Sequence, residues 1–279
     1  MRKRLGIDLG GTKIEVAMLD DSANELLRRR IPTPQGDYEG TVRAITALVE
    51  SAQQDAGVCE RIGAGTPGAI SAATGLMKNA NSVVLNGKPL KDDLERALGR
   101  EIRMTNDANC FVLSEAFDGA AAGSRVVFGV ILGTGTGGGI SIDRRIVDGA
   151  NHIAGEWGHN PLPWPRDSER PGPLCYCGKS GCMETFLSGP ALSRLREQEG
   201  EGAIGIYADR LARGLASVIN VLDPDVIVLG GGVSNVTALY DIVPELLRRY
   251  VFSDAVATRI VPARHGDSSG VRGAALLWP

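Results

Sequence analysis

The stretch Asp8-Leu9-Gly10-Gly11-Thr12-Lys13 has a counterpart at Gly133-Thr134-Gly135-Thr136-Gly137, and this repetition decides the fold. Each stretch follows an apolar run, 4–9 or 126–132, that is typical of a buried strand. A returning strand and an alternation of helical and strand patterns follow each turn. The sequence therefore predicts a duplicated α/β unit with a Gly-Thr turn in each copy, and two lobes that face each other across a cleft.

The first turn carries the groups that a phosphate site needs. Gly10 and Gly11 let backbone N–H groups face an anion, while Thr12 adds a hydroxyl donor and Lys13 a positive charge. Asp8 supplies a carboxylate that can hold Mg²⁺ or its waters. The alternative is a tight β-turn that requires glycine and whose polar residues are only solvated. A Walker A loop is excluded, because the Gly-Lys-Ser/Thr spacing and the following helix are missing.

Two further glycine clusters indicate the same kind of ligand. Gly133–Gly139 holds five glycines in seven residues, more than one hairpin turn requires, so contact with phosphate is favoured. Gly230–Gly232 ends a predicted strand before a helix, which is where α/β proteins bind ligands, and a nucleoside can pack against bare backbone there. The alternative is a helix N-terminus capped by Ser234 or Asn235.

Asn106 and Asp107 stand at the end of a predicted strand and before a predicted helix, 108–117. A carboxylate at that point can accept the proton of a sugar hydroxyl as its oxygen attacks the γ-phosphorus of a nucleotide. Asp107 is also suited to cap the helix, so the residues alone leave both roles open.

Three thiols within eight residues, with an imidazole sixteen positions before them, form a Cys3His set: His159, Cys175, Cys177 and Cys182. This is the ligand set of a closed structural zinc site. The alternative is unrelated buried thiols, the interpretation we give to Cys59 and Cys110. Disulfides are disfavoured because the five cysteines are odd in number and follow no signal peptide. A zinc ion would hold the segments of Glu156 and Glu184 together as one wall of a pocket for a polyhydroxylated ligand.

Composition excludes several classes of function. The net charge of −3 and the isoelectric point of about 5.7 give no attraction to nucleic acid, and 5% aromatic residues are too few for base-stacking platforms. No apolar run is long enough for a membrane span. The basic start, residues 1–4, leads directly into a strand, so we expect no targeting peptide and a cytoplasmic protein.

Together these motifs resemble the ROK family of bacterial sugar kinases and repressors, within the actin-like ATPase superfamily. Residues 8–13 are similar to its first phosphate motif, 133–139 to its second and 230–232 to its adenosine motif, while 155–159 and 175–182 are similar to its signature and zinc element. The stretches 79–87, 106–110 and 265–275 resemble the fructokinase/mannokinase branch.

The resemblance implies a two-lobed actin-like ATPase (ribonuclease H-like) α/β fold, with duplicated α/β units around a central cleft. We expect an N-terminal lobe at 1–107, completed by a C-terminal helix at 266–279. The larger C-terminal lobe would span 108–265, with a zinc-binding insertion at about 155–184. The branch usually carries more residues between Trp164 and Leu174 and between Leu192 and Ala203. In the second region this chain has only a short charged stretch, 194–202, where a longer helical segment is expected.

The resemblance also implies roles for individual residues. Asp107 would be the catalytic base for the sugar 6-hydroxyl, and His159 would give one ring nitrogen to zinc and the other to the sugar. The implied sugar-binding residues are Gly68, Asn81, Asn106, Asp107, Glu156, His159 and Glu184. The implied MgATP-binding residues are Asp8, Gly10, Gly11, Thr12, Lys13, Gly133, Thr134, Gly135, Gly231 and Gly232.

These features predict an ATP-dependent fructokinase that uses ATP, Mg²⁺ and structural Zn²⁺, with hexose and ATP as its partners and a homodimeric assembly implied by the family. Mannokinase and glucokinase activities are the nearest alternatives, and an N-acylhexosamine kinase would need room near the sugar 2-position. A sugar-sensing repressor is disfavoured, because the phosphate turn begins at residue 8 and leaves no space before it for a helix-turn-helix domain.

Overall fold

The computed structural model describes residues 3–278. The strands are β1 Arg4–Leu9, β2 Lys13–Leu19, β3 Glu25–Pro32, β4 Arg61–Thr66, β5 Ala69–Ile70, β6 Met77–Lys78, β7 Ile102–Asn106, β8 Val126–Leu132, β9 Thr136–Ile142, β10 Arg145–Ile146, β11 Val226–Gly230 and β12 Arg259–Pro262. The helices are α1 Tyr38–Ala56, α2 Leu90–Leu98, α3 Asp107–Phe117, α4 Glu184–Leu187, α5 Gly189–Glu199, α6 Ala203–Leu222, α7 Leu239–Leu247 and α8 Ser269–Ala275.

Two five-stranded sheets have the same strand order. In the first, β3-β2-β1-β4-β7, the strands β1, β2 and β3 pair antiparallel, and β4 and β7 follow in parallel. In the second, β10-β9-β8-β11-β12, an antiparallel meander of β8, β9 and β10 is again extended by two parallel strands. The predicted duplication is therefore present in the strand order, with a Gly-Thr turn joining the first two strands of each copy.

The chain divides into two compact units. Unit 1 runs up to Ser114 and includes Asp148–Ala154 and the residues from Asp267 onward, while unit 2 comprises Glu115–Val147 and Gly155–Gly266. The first segment of unit 1 thus ends within α3, seven residues beyond Asp107, the last residue of the expected N-terminal lobe.

The core of unit 1 lies between its sheet and helices α1 and α2, and α8 covers part of the sheet directly. Glycines allow this close approach. A Cβ at Gly6 would lie 2.0 Å from the carbonyl oxygen of Val271, and one at Gly63 would lie 1.9 Å from that of Ala274. Larger residues at either position would push α8 away from β1, which carries Asp8, and from its neighbour β4.

The core of unit 2 is built on the long helix α6, which packs with α7 against β8 and β11. Its buried face includes Leu211, Leu215 and Ile219, the spacing that predicts an amphipathic helix. Only the short turn Gly200–Gly202 separates α5 from α6, so the longer helical segment typical of the branch is absent. Among the described residues, every helix is too short or too polar to span a lipid bilayer.

Candidate active site

The first glycine turn of unit 1 is held by its carbonyl groups. The N–H of Gly10 donates to the carbonyl of Lys13 (2.9 Å), which closes the turn. Thr33 then binds the turn twice, through its N–H to the carbonyl of Thr12 (3.0 Å) and its hydroxyl to that of Gly10 (2.8 Å). Gln35 donates to the carbonyl of Gly11 (2.6 Å). Because peptide groups are planar, fixing these carbonyls directs the following N–H groups to the opposite side, as an anion site requires.

Asp8 stands beside this turn in an unusual electrostatic environment. Burial raises the pKa of its carboxyl to about 7, and the nearby Asp107 and Glu15 add to the increase, against the lowering effect of Lys13 and Arg30. Two carboxylates that repel each other in a poorly solvated place are stabilised by a divalent cation. The carboxylate of Asp8 therefore fits Mg²⁺ or its bound waters.

The strand end before α3 separates the roles of Asn106 and Asp107. The side-chain oxygen of Asn106 accepts from the N–H of Ala108 (2.8 Å), the N-cap bond of a helix that begins at Asp107, while its amide nitrogen donates to the carbonyl of Gly68 (3.1 Å). One oxygen of Asp107 also accepts from the Ala108 N–H (2.8 Å). Asn106 occupies the N-cap position, so the cap role considered for Asp107 is filled by its neighbour.

Backbone geometry shapes the other predicted sugar-binding positions of unit 1. Gly68 has φ +74°, and a Cβ there would lie 2.3 Å from the carbonyl oxygen of Lys78, so only glycine fits. Asn81 is exposed in the loop after β6. The preceding Ala80 is held at both its backbone N–H and carbonyl by the side-chain amide of Asn86 (2.9 Å each). Asn86 was assigned no role from the sequence, although its Asn-Gly pair marks a turn.

The second glycine turn is held from two sides in unit 2. The N–H of Gly133 donates to the carbonyl of Gly135 (3.0 Å), and the N–H of Gly189 donates to the carbonyl of Gly133 (2.7 Å). On the other side, Oε2 of Glu184 accepts from the N–H of Thr136 (2.9 Å). A Cβ at Gly135 would lie 2.5 Å from that oxygen, so a larger residue there would displace the Glu184 carboxylate. Glu184, predicted to bind sugar, thus forms a hydrogen bond to the backbone of the second glycine turn.

A cavity of about 600 Å³ opens beside this turn in unit 2. Its lining residues are Leu132, Gly133, Thr134, Gly189, Pro190, Leu192, Ser193, Arg196, Gly232, Val233 and Val236. It therefore brings together the second glycine turn and the predicted adenosine motif. Sequence reasoning missed the wall formed by α5, because a helix that starts with Gly-Pro and alternates apolar and charged residues has an ordinary amphipathic pattern.

Backbone geometry explains why glycine stands at position 231 of the predicted adenosine motif. Gly231 has φ +79°, and a Cβ there would lie 2.5 Å from the carbonyl oxygen of Leu132. The side chains of Ser234 and Asn235 donate back to the carbonyls of Gly231 (2.7 Å) and Gly232 (3.3 Å), while α7 begins later, at Leu239. The capping alternative for Ser234 and Asn235 is therefore wrong for α7.

The Cys3His residues converge. One ligand atom from each of His159, Cys175, Cys177 and Cys182 lies within 4.8 Å of all the others. Nδ1 of His159 is 3.6 Å from the sulfur of Cys175, and the sulfurs of Cys177 and Cys182 are also 3.6 Å apart. A tetrahedral zinc site with Zn–S bonds of about 2.3 Å separates its ligand atoms by roughly 3.5–3.8 Å. The donor set and its spacing fit zinc.

The second nitrogen of His159 points away from the sulfurs. Its Nε2 is 3.0 Å from the hydroxyl of Tyr176. Loss of solvent around the hydroxyl and the charges of Glu184 and Glu156 raise the pKa of Tyr176 to about 12, although the side chain as a whole is 69% exposed. The Cys3His loop therefore places an imidazole nitrogen beside a phenol, two hydrogen-bonding groups suited to a polyhydroxylated ligand.

The chain is similar to proteins of a known family over nearly its whole length. The ROK family model matches residues 4–279. An N-acetyl-D-glucosamine kinase of Pectobacterium atrosepticum is 41% identical, with 98% of this chain and 97% of that protein covered.

Two solved structures extend the likeness to three dimensions. A ROK hexokinase from Thermus thermophilus is 33% identical, with 99% of this chain and 97% of that one covered and a TM-score of 0.84. A ROK family glucokinase from Streptomyces griseus, solved with glucose and AMPPNP, is 28% identical, with 99% and 98% coverage and a TM-score of 0.79. The fold is the two-lobed actin-like ATPase fold of these kinases. The chain therefore belongs to the ROK family.

Proposed function

We propose that the protein is an ATP-dependent hexose kinase that transfers the γ-phosphate of ATP to the 6-hydroxyl of N-acetyl-D-glucosamine. The observation that carries the proposal is the cavity of unit 2, where Gly133 and Thr134 of the second phosphate turn and Gly232 of the adenosine motif line one space. A volume of about 600 Å³ lies within the usual range for a small-molecule pocket. Its glycine-lined wall suits the flat face of a nucleoside, and its turn suits the phosphates.

The chemistry assigned to unit 1 follows from its carboxylates. Asp107 accepts the proton of the 6-hydroxyl as that oxygen attacks the γ-phosphorus, and ADP leaves with the bridging oxygen. Asn106 fixes the strand end by capping α3 and binding Gly68, so the base is presented at a constant place. Mg²⁺, held by Asp8, would neutralise charge on the phosphates.

The remaining contacts to the sugar are proposed from the resemblance. The residues that would bind hydroxyls of the hexose are Gly68, Asn81, Asn106, Glu156, His159 and Glu184. Zinc, held by His159 and the three cysteines, would fix the loop that carries Glu156 and precedes Glu184. A homodimer stays a prediction from the family.

The identity of the sugar is where the first interpretation needs revision. The fructokinase specificity expected from the sequence is not supported by the relatives, since the Pectobacterium protein, 41% identical over almost the whole chain, is an N-acetyl-D-glucosamine kinase. That likeness favours the N-acylhexosamine alternative. Fructose remains the competing substrate, because the stretches 79–87 and 106–110 resemble the fructokinase/mannokinase branch.

The test is kcat/KM with MgATP on zinc-loaded protein for N-acetylglucosamine, N-acetylmannosamine, glucose, mannose and fructose. We expect N-acetylglucosamine to exceed each unacetylated hexose by at least ~10-fold, the discrimination that a few buried contacts supply. A higher value for fructose would restore the fructokinase interpretation. Binding of sugar without turnover of any would support a sugar sensor instead.

A further inference from the structure

The metal-binding segment of unit 2 is attached to the second phosphate turn at consecutive residues. A Cβ at Gly158, next to the metal ligand His159, would lie 2.0 Å from the carbonyl oxygen of Thr136. Gly155 also packs on the backbone of β9, because a Cβ there would lie 2.4 Å from the carbonyl oxygen of Gly138. These backbones therefore touch with no side chain between them, and movement of one displaces the other.

Trp157 makes the most directional of these contacts. It is only 4% exposed, and its indole Nε1 donates to the carbonyl of Gly137 (2.9 Å), the second residue of β9. Its ring packs edge-to-face on Phe128 of β8, with 5.7 Å between ring centroids. Trp157 thus joins both strands of the turn to a position two residues before the metal ligand His159.

The other end of the metal-binding segment holds the turn from the opposite side. Glu184, two residues after the ligand Cys182, accepts from the N–H of Thr136 (2.9 Å). Gly189, at the start of α5, donates to the carbonyl of Gly133 (2.7 Å). Both flanks of the Cys3His set therefore end in hydrogen bonds to the turn.

We propose that metal loading sets the affinity of the second phosphate turn for nucleotide, and that Trp157 is the positioning residue that couples the two sites. The proposal rests on the proposed function, since it takes the phosphate chain of a nucleotide as the ligand of the turn. Gly133 and Gly135 lie in the short connection between β8 and β9, and they give this turn conformational freedom when it is unsupported. A crosslinked support removes that freedom before the ligand arrives, so binding costs less.

The competing interpretation is that zinc acts on the sugar side alone. His159 and Glu156 would then lose their arrangement without metal, while the turn would keep its own. The two interpretations differ in one quantity, the affinity for nucleotide in the absence of sugar. Coupling between two binding sites is reciprocal, so bound nucleotide must also retain zinc if the proposal holds.

The experiment measures the dissociation constant of ADP by titration calorimetry, without sugar, on zinc-loaded and chelator-treated protein. We expect chelation to weaken ADP binding by ~10-fold or more, within the usual range of site-to-site coupling. Trp157→Phe keeps a ring against Phe128 but loses the N–H. Chelation should therefore change the logarithm of the ADP dissociation constant by less than half as much in this variant as in the parent chain. Trp278→Phe is the matched control, because it deletes an indole bond to the carbonyl of Ile62 in unit 1 (2.7 Å) and should leave the effect intact.

If the zinc-free protein does not stay folded, the rate of zinc loss from the loaded protein tests the coupling instead. Zinc loss from the loaded protein to a coloured chelator is timed with and without ADP. We expect ADP to slow the loss several-fold in the parent chain and in Trp278→Phe, and much less in Trp157→Phe.

Different results would overturn the zinc–nucleotide coupling and the proposed kinase activity. ADP binding that is equal with and without zinc, together with zinc loss that ADP does not slow, overturns the coupling and leaves the kinase proposal standing. No binding of ADP to zinc-loaded protein overturns both.

Discussion

The carboxylate of Glu184 accepts a hydrogen bond of 2.9 Å from the backbone N–H of Thr136. A side chain that the family resemblance places on the sugar is therefore attached to the turn that we propose binds phosphate. A residue with both duties links the position of the hydroxyl acceptor to that of the phosphate donor, and such alignment is a large part of catalysis in phosphoryl transfer.

Replacement of Glu184 tests this double role. Glu184→Ala should lower kcat/KM for both the sugar and MgATP by at least ~10-fold each, because a hydrogen bond to a charged group is lost along with the sugar contact. Glu184→Gln should spare MgATP more than sugar, since an amide oxygen can still accept from Thr136. Steady-state kinetics with each substrate varied in turn give the answer. An effect of Glu184→Ala confined to sugar would show that the bond to Thr136 is passive.

Replacement of the neighbours Asn106 and Asp107 should have different main effects, because Asn106 caps α3 and Asp107 is the proposed base. Asp107→Asn is expected to lower kcat by ~10²–10⁴-fold, the range for loss of a general base, with little change in Tm. Asn106→Ala removes the cap of α3 and should cost about 0.5–2 kcal/mol of stability. Kinetics and thermal unfolding of the two variants are compared side by side. Near-normal kcat in Asp107→Asn would remove that residue from the mechanism.

Asp8 gives a pH dependence with a definite sign. Its pKa is raised to about 7 in the folded chain, so between about pH 4 and 7 the folded state binds a proton that the unfolded state has released. This group therefore costs stability as pH rises, and Asp8→Asn should be more stable than the parent at pH 8 by about 1–3 kcal/mol, with a smaller gain at pH 5.

The same variant should lose affinity for MgATP, because it lacks the anionic oxygen. Urea unfolding without nucleotide at the two pH values measures the stability, and the exposed Asp254→Asn serves as control. An equal gain at pH 5 and pH 8 would mean that titration of Asp8 is not its source.

The Cys3His cluster predicts a link between zinc and sugar. Cys177→Ser removes one of four ligands, so bound zinc per chain should fall and sugar affinity should weaken with it. Cys59→Ser changes an isolated thiol in unit 1 and should leave the zinc content unchanged. Elemental analysis and sugar titration are made on the same samples. Unchanged sugar affinity in a zinc-poor Cys177→Ser protein would break the link.

Local patterns explain why much of the fold was predictable. The turns at Gly10 and Gly133 stand between apolar runs of strand length, and both the glycines and the runs are visible without knowledge of tertiary structure. The Cys3His set is similarly local in three of its ligands, and the chemistry of thiols and imidazole restricts what they can hold.

The contacts that could not be predicted from the sequence join segments that come together only when the folded elements pack. Thr136 and Glu184 are 48 positions apart, and no sequence pattern in either segment predicts their hydrogen bond. Arg196 lines the cavity of unit 2 because α5 forms one of its walls, although it is no sequence neighbour of Leu132 or Gly232. The choice between Asn106 and Asp107 as helix cap depends on where α3 begins to within one residue, which propensities do not resolve, since both residues are good caps.

The most direct test of the account is the identity of the phosphorylated product. Zinc-loaded protein is incubated with MgATP and N-acetylglucosamine, and the product is examined by phosphorus-proton correlation NMR, with 6-deoxy-N-acetylglucosamine as the matched substrate that lacks the acceptor oxygen. We predict phosphate on the 6-oxygen of N-acetylglucosamine and none on the deoxy sugar. Phosphate at another hydroxyl, or ATP hydrolysis with no sugar phosphate, would contradict the account.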